Sequence, residues 1–286
     1  MIKIIKNHLL SEEYDYPKKL FRTALYLWPI LNYSYLLTNA QWYWGGRNYY
    51  ATFSSSGFYL LLELFPSLRL VPIVVPLIGI LAGILGIIFI RSSILPPVIY
   101  YIVLSLDHNS YMLDGGNILA RIFLFYNCFL FFDLNKFSDK FRFVSNLAFY
   151  LCRIQVVIVY LVAGLSKLAG TTWTSGQAIY YVLSTDSVTT GWFSLWVQHS
   201  HELFIIIPTY FILAYQLSFP IGIWFKRSRP FYIFIGSLIH LGMIVIMGLV
   251  GFGFIMIVGY LSFFDRNIRL VPKKIIHHDP KDVTNS

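Results

Sequence analysis

A chain of 286 residues that is 57% apolar and 19% aromatic, with only 12% charged side chains, falls outside the soluble range, in which about a quarter of residues are charged. Such a composition fits the lipid bilayer as solvent, and almost the whole length is taken up by apolar runs on short polar connectors. The formal charge of +9 comes from small basic clusters beside those runs, so it argues for membrane topology and against a nucleic-acid partner.

The N-terminus carries Lys3 and Lys6 and then acidic Glu12, Glu13 and Asp15. It lacks the short apolar core of a cleaved signal, so residues 1–20 read as a retained cytoplasmic segment. A spanning helix needs roughly 20 apolar residues, and about eight candidates follow. Residues 21–38 form the first, interrupted by Pro29 and Asn32. Residues 71–90 form the clearest, with Gly79 and Gly83 offering a close-packing face. Residues 94–106 open with Pro96 and Pro97, and residues 118–132 are also short. Residues 143–168 are long enough to cross with some tilt. Residues 203–225 come next. Residues 231–264 are too long for one helix and hold Gly248, Gly251 and Gly253 near their middle, which predicts two helices joined by a tight hairpin. The polar tail, 265–286, reads as cytoplasmic.

Cytoplasmic loops retain Lys and Arg. Eight spans put both termini on one side, together with Lys18, Lys19, Arg22, Arg91, Lys136, Lys140, Arg142, Lys226, Arg227 and Arg229; Arg47 and Arg69 fall on the other. Residues 169–225 contain no Lys or Arg and therefore face outward. In this outer connector, Thr174 and Gln177 have the spacing of a capping box before residues 178–183, and residues 191–196 look interfacial. The expectation is an all-α, polytopic helical membrane protein of the cell membrane, with about eight transmembrane helices and a re-entrant or interfacial outer connector. Residues 21–264 are its membrane domain.

Cys128 and Cys152 lie inside apolar spans and read as packing residues. Three cations lie within or at the ends of spans: Arg121, Arg153 and Lys167. A charge at a helix centre costs roughly 2.5–3.5 kcal/mol on insertion scales, so each needs a partner, a cavity or a route to the interface. Arg153 is about 15 Å along its helix from the inner end, which predicts pairing inside the bundle. Arg121 is two turns from Asp114, a pair suited to closing the outer end of their helix. Lys167 has two readings: an ammonium snorkelling to the headgroups, or a desolvated lysine acting as a general base. His240, inside a span, is either a hydrogen-bonded packing residue or part of a proton relay. The spacing of His199, His201 and Glu202 does not bring both histidines onto one helix face, so it makes a poor metal site. No phosphate-cradling loop or nucleophile elbow is present.

The segment Asp114-Gly115-Gly116-Asn117 running to Arg121, the segment Tyr160 to Leu168 with Gly164 and Lys167, the following Trp173 and Gly176, and His240 in a glycine-rich apolar stretch together resemble the HTTM family. This is the horizontally transferred transmembrane domain shared with vitamin K-dependent gamma-carboxylase. The resemblance covers about residues 21–264, and its most specific part is Ala163-Gly164-x-x-Lys167-Leu168.

It implies that Lys167 matches the base that deprotonates reduced vitamin K, whose oxygenation creates the strong base for glutamyl proton removal. It also implies that His240 matches a histidine near that site and that His108 and Asn109 stand where the family has Asn-His. Arg153, Tyr160 and Trp173 are then candidates for contact with a reduced, vitamin K-like quinone, while Asp114, Gly115, Gly116, Arg121 and Gly164 are structural. The carboxylase's extramembrane substrate-recognition domain has no counterpart here. Small bacterial members of the family, which mature peptide toxins, imply a secreted peptide or a lipid-phase molecule as substrate, with the lipid bilayer as surroundings.

Two functions follow: a membrane enzyme with Lys167 as an outer-face base and a quinol-like cofactor, or a non-catalytic membrane component for maturation, export or immunity of a secreted peptide. A transporter fits less well, since no internal repeat is visible and intramembrane acidic residues are few.

Overall fold

The computed structural model describes residues 15–44, 71–106, 114–132, 138–185, 189 and 191–264. Its helices are α1 (Asp15–Leu37), α2 (Ala40–Trp44), α3 (Val71–Ile88), α4 (Leu95–Leu106), α5 (Gly115–Asn127), α6 (Asp139–Leu168), α7 (Thr171–Thr174), α8 (Ala178–Leu183), α9 (Gly191–Gln198), α10 (Leu203–Gly222), α11 (Arg229–Met247) and α12 (Val250–Leu261). There is no strand among the described residues. Three helices, α6, α10 and α11, are long and apolar enough to cross a membrane, and shorter apolar helices cover Ile73–Ile88, Leu95–Leu106 and Val250–Leu261.

Polarity is arranged for lipid. Leu77, Leu81, Ile84 and Ile88 form an outward stripe on α3, and Phe234, Leu238, Leu241 and Val245 do so on α11, all exposed. Lys18, Arg22, Asn117, Asn127, Arg153 and His240 are buried. Such large outward apolar faces are rare on soluble monomers.

Each expected apolar run is helical, with two helices longer than anticipated. α1 begins at Asp15, so the boundary drawn at residue 20 falls within it, and α6 runs back to Asp139. In both cases an aspartate in the first turn complements the helix dipole. At 30 residues, α6 is about 45 Å long, more than the hydrocarbon thickness.

The central helix is α1. Phe21 meets Phe123 of α5 and Phe149 of α6 edge-on, with centroids 5.4 and 5.8 Å apart. α3 crosses α1 through its glycines: a Cβ at Gly79 would strike the Tyr33 ring, and one at Gly83 would lie 2.7 Å from the Tyr26 carbonyl oxygen. The close-packing face expected from Gly79 and Gly83 is therefore the α1–α3 contact. Gly116 of α5 serves α12 in the same way, with the Phe252 Cα 2.5 Å from where its Cβ would be.

The hairpin predicted within 231–264 is present. Gly248 ends α11 in the left-handed conformation (φ 66°), its N–H bonding back to Met243 and Ile244. The capping box expected at Thr174 is absent. The Thr174 hydroxyl instead donates back to the carbonyls of Gly170 and Thr171, and Gln177 makes no side-chain cap to α8. Thr174 closes α7, and Gly176 (φ 79°) reverses the chain before α8 begins. The expected pair of Asp114 with Arg121 does not form either. Asp114 caps α5 by accepting from the Asn117 N–H at 2.7 Å, and no ion pair joins it to half-buried Arg121.

Three arginines hold the opposite end of the bundle. Arg22 donates to the Asn127 side chain (2.7 Å) and to the carbonyls of Ile90 (3.1 Å), Asn127 (3.0 Å) and Leu130. Arg153 donates to Ser262 O at 2.5 Å. Arg229 donates to Ile223 O and Phe263 O, both at 3.2 Å. Each guanidinium satisfies carbonyls left open where a helix ends. The contacts at this end and at the Gly116–Phe252 end make α1, α3, α4, α5, α6, α10, α11 and α12 alternate in direction.

Candidate functional site

Along α6 the polar residues Asn146, Arg153, Tyr160 and Lys167 recur every seven positions. Seven residues are nearly two helical turns, so the four side chains share one stripe. Asn146, Arg153 and Tyr160 are buried. Beside this stripe, Gly164 lets α10 approach: a Cβ there would lie 3.0 Å from Leu217.

Tyr160 is the centre of a buried polar cluster. Its hydroxyl is hydrogen-bonded to His240 Nε2 of α11 at 2.8 Å and to the Tyr260 hydroxyl of α12. Tyr215 of α10 meets the Tyr160 ring edge-on, 5.7 Å between centroids, and its hydroxyl donates to Tyr232 O at 2.7 Å. The helices meet closely here because α11 has glycine at 236. A Cβ at that position would collide with the hydroxyls of Tyr215 and Tyr260. Aromatic rings enclose the cluster: Phe219 stacks on Tyr160 at 4.0 Å, and Phe252 lies edge-on to His240 at 5.6 Å.

His240 is only 3% exposed, yet its Nδ1 has no hydrogen-bond partner. With Nε2 engaged by Tyr160, Nδ1 is an orphan donor in one tautomer and an orphan acceptor in the other. A buried polar atom of this kind costs about 1–3 kcal/mol and is a natural contact for a bound polar group.

Lys167 lies about 10 Å further along α6 by helical rise. It is half-buried, and its ammonium stands over the Trp173 ring, 5.0 Å from the centroid. The turn through Gly170 into α7 brings Trp173 beneath it. The structure thus joins Lys167 to Trp173 and Tyr160 to His240, as two centres on one stripe. Arg153, expected to touch a cofactor, lies two turns from Tyr160 on the side away from Lys167, and is bound to the end of α12 and over the Phe149 ring (5.5 Å).

His108 and Asn109 lie outside the described residues. His199 and His201 bond to nearby backbone, at Leu195 O and Leu203 N. Cys128 and Cys152 are free thiols, half-buried and buried. Sequence reading missed Tyr260, Tyr215 and Phe252 as site residues. The available signal was a phenol in an apolar span, which needs a hydrogen-bond partner there.

The chain is similar to the sporulation-delaying protein SdpB of Bacillus subtilis (strain 168), with 28% identity over 188 residues. The match takes in 60% of this chain and spans 58% of that protein's length. No family model matches the chain, and no solved structure matches it.

Proposed function

We propose that this chain is a multi-pass membrane protein of the HTTM type that matures a secreted peptide, with Lys167 as a base and the Tyr160–His240–Tyr260 cluster as its proton-handling partner. The observation that carries this reading is the orphan Nδ1 of buried His240, whose Nε2 is bonded to Tyr160 on the α6 stripe that also carries Lys167. The similarity to SdpB supports the peptide side of the reading. Both termini are cytoplasmic and residues 169–202 lie outside. The alternating helices and the concentration of arginines at one end support that orientation.

The resemblance implies a reduced quinone, and the residues present fit one. A flat ring with hydroxyls at its edge needs aromatic faces and a hydrogen-bond partner, and Phe252 and the orphan Nδ1 of His240 offer both. His240 and Phe252 would hold the ring, with Lys167 toward the outer end. When bound, a quinol would supply an acidic hydroxyl and, with molecular oxygen as the oxidant, a strong base for proton removal. The chain's own part is to hold the polar edge at Nδ1, to keep water out with the Tyr160–Phe219 stack, and to take up a proton at the Lys167 amine.

A second reading is favoured by the cation–π contact. With its ammonium on Trp173 in the last turn of α6, Lys167 stabilises the helix terminus and the connector, and the protein assists a peptide without chemistry. Lys167→Ala in the full chain separates the two. Cells expressing the chain together with a candidate secreted peptide are assayed for the mature peptide in the medium by mass spectrometry. Loss of product with normal membrane insertion supports catalysis, and unchanged product removes Lys167 as a base.

A further inference from the structure

At the arginine-rich end of the bundle, far from His240, a cavity of about 170 Å³ is lined by Asp15, Tyr16, Lys19, Ile90, Arg91 and Phe132. Lys19 and Arg91 are exposed. Phe132 is held in place because the Arg22 guanidinium stacks on its ring, 4.4 Å from the centroid, while donating to Ile90 O. Two walls of the cavity are therefore fixed by a buried arginine, and two exposed cations complete its lining.

We infer that this cavity binds the phosphodiester headgroup of an anionic phospholipid of the phosphatidylglycerol class. Lys19 and Arg91 against Asp15 leave the lining with one net positive charge, which matches a headgroup of net charge −1 and not the net-neutral phosphatidylethanolamine or phosphatidylcholine. Arginine and lysine are the usual partners of a phosphate. The source is a lipid because the lining residues Ile90 and Arg91 follow directly on the end of α3, whose outward stripe is apolar. Leu81, Ile84 and Ile88 are 54%, 40% and 64% exposed, and Phe89 beside the cavity is 56% exposed. Exposed apolar side chains run from Phe89 back along α3, a surface that suits an acyl chain and that free phosphate does not need. The site is independent of any role for Lys167.

The test uses the full chain purified in a neutral detergent and incubated with equimolar phosphatidylglycerol, phosphatidylethanolamine and phosphatidylcholine of identical acyl chains. Native mass spectrometry reads the retained lipid. Phosphatidylglycerol adducts are expected to exceed phosphatidylcholine adducts by about tenfold, and K19A/R91A is expected to bring the two to parity. Melting of that variant in phosphatidylcholine micelles at the wild-type temperature establishes that its fold is intact. Equal retention of all three lipids, or an undiminished preference in the variant, overturns the proposal. Displacement of phosphatidylglycerol by millimolar inorganic phosphate overturns the lipid source, and retention in its presence supports it.

Discussion

Tyr160→Phe isolates the hydrogen bonds of the buried cluster from its packing. Phenylalanine keeps the ring stacked on Phe219 and removes only the hydroxyl that bridges His240 and Tyr260. The Tyr260 hydroxyl stands beside that of Tyr215 over Gly236 and can turn toward it, so its loss is small. His240 already lacks a partner at Nδ1, and it would then lack one at Nε2 too. An abandoned buried polar atom costs roughly 1–3 kcal/mol, which sets the expected destabilisation at about 2 kcal/mol.

The assay is reversible unfolding in mixed detergent–SDS micelles, followed by tryptophan fluorescence. A companion variant sharpens it. His240→Leu on the Tyr160→Phe background removes both polar partners, and apolar replacement of a whole pair is nearly neutral. The double variant is therefore expected to regain much of the stability that Tyr160→Phe loses. If Tyr160→Phe unfolds within about 0.5 kcal/mol of wild type, or the double variant is the sum of two costs, the Tyr160–His240 bond does not carry the weight assigned to it.

Arg22→Met removes a guanidinium that serves Asn127, Leu130 and Ile90 and leaves buried acceptors unsatisfied at about 1–3 kcal/mol each, so a loss of about 3 kcal/mol or more is expected; the same unfolding assay checks this, and Arg22→Lys should recover only part. Gly83→Ala places a methyl 2.7 Å from the Tyr26 carbonyl oxygen, so α1 and α3 must separate; a loss of about 1–3 kcal/mol is expected, against near-neutral behaviour for Gly242→Ala, which meets nothing within 4 Å. Gly248→Ala forces a Cβ into the left-handed region at φ 66° and is expected to cost about 1 kcal/mol, read as a lower melting temperature in detergent.

Hydropathy fixed what depends on one-dimensional pattern. Apolar run length placed most of the helices, because a helix in lipid must satisfy its backbone internally and be apolar over the hydrocarbon thickness. Gly248 marked the α11–α12 hairpin, since only glycine takes the left-handed cap without strain. Gly79 and Gly83 marked a contact face by their four-residue spacing, and the seven-residue spacing of Tyr160 and Lys167 was already in the chain.

The partners belong to tertiary structure. Lys18, Arg22 and Arg229 looked like surface cations that orient loops, yet Lys18 donates to Ser145 at 3.1 Å and both arginines close helix ends of distant elements. Their acceptors are up to 127 residues away, and no local pattern encodes such a pairing. His240 gave the same ambiguity. A histidine in an apolar span is legible, but its bond to Tyr160, the approach of Tyr260 over Gly236 and the orphaned Nδ1 arise only where α6, α10, α11 and α12 converge. Sequence alone determined which stretches form apolar helices, because that follows from apolar content along the chain. Only the packed helices decided which buried polar atoms meet, because that depends on rotation and depth of one helix against another.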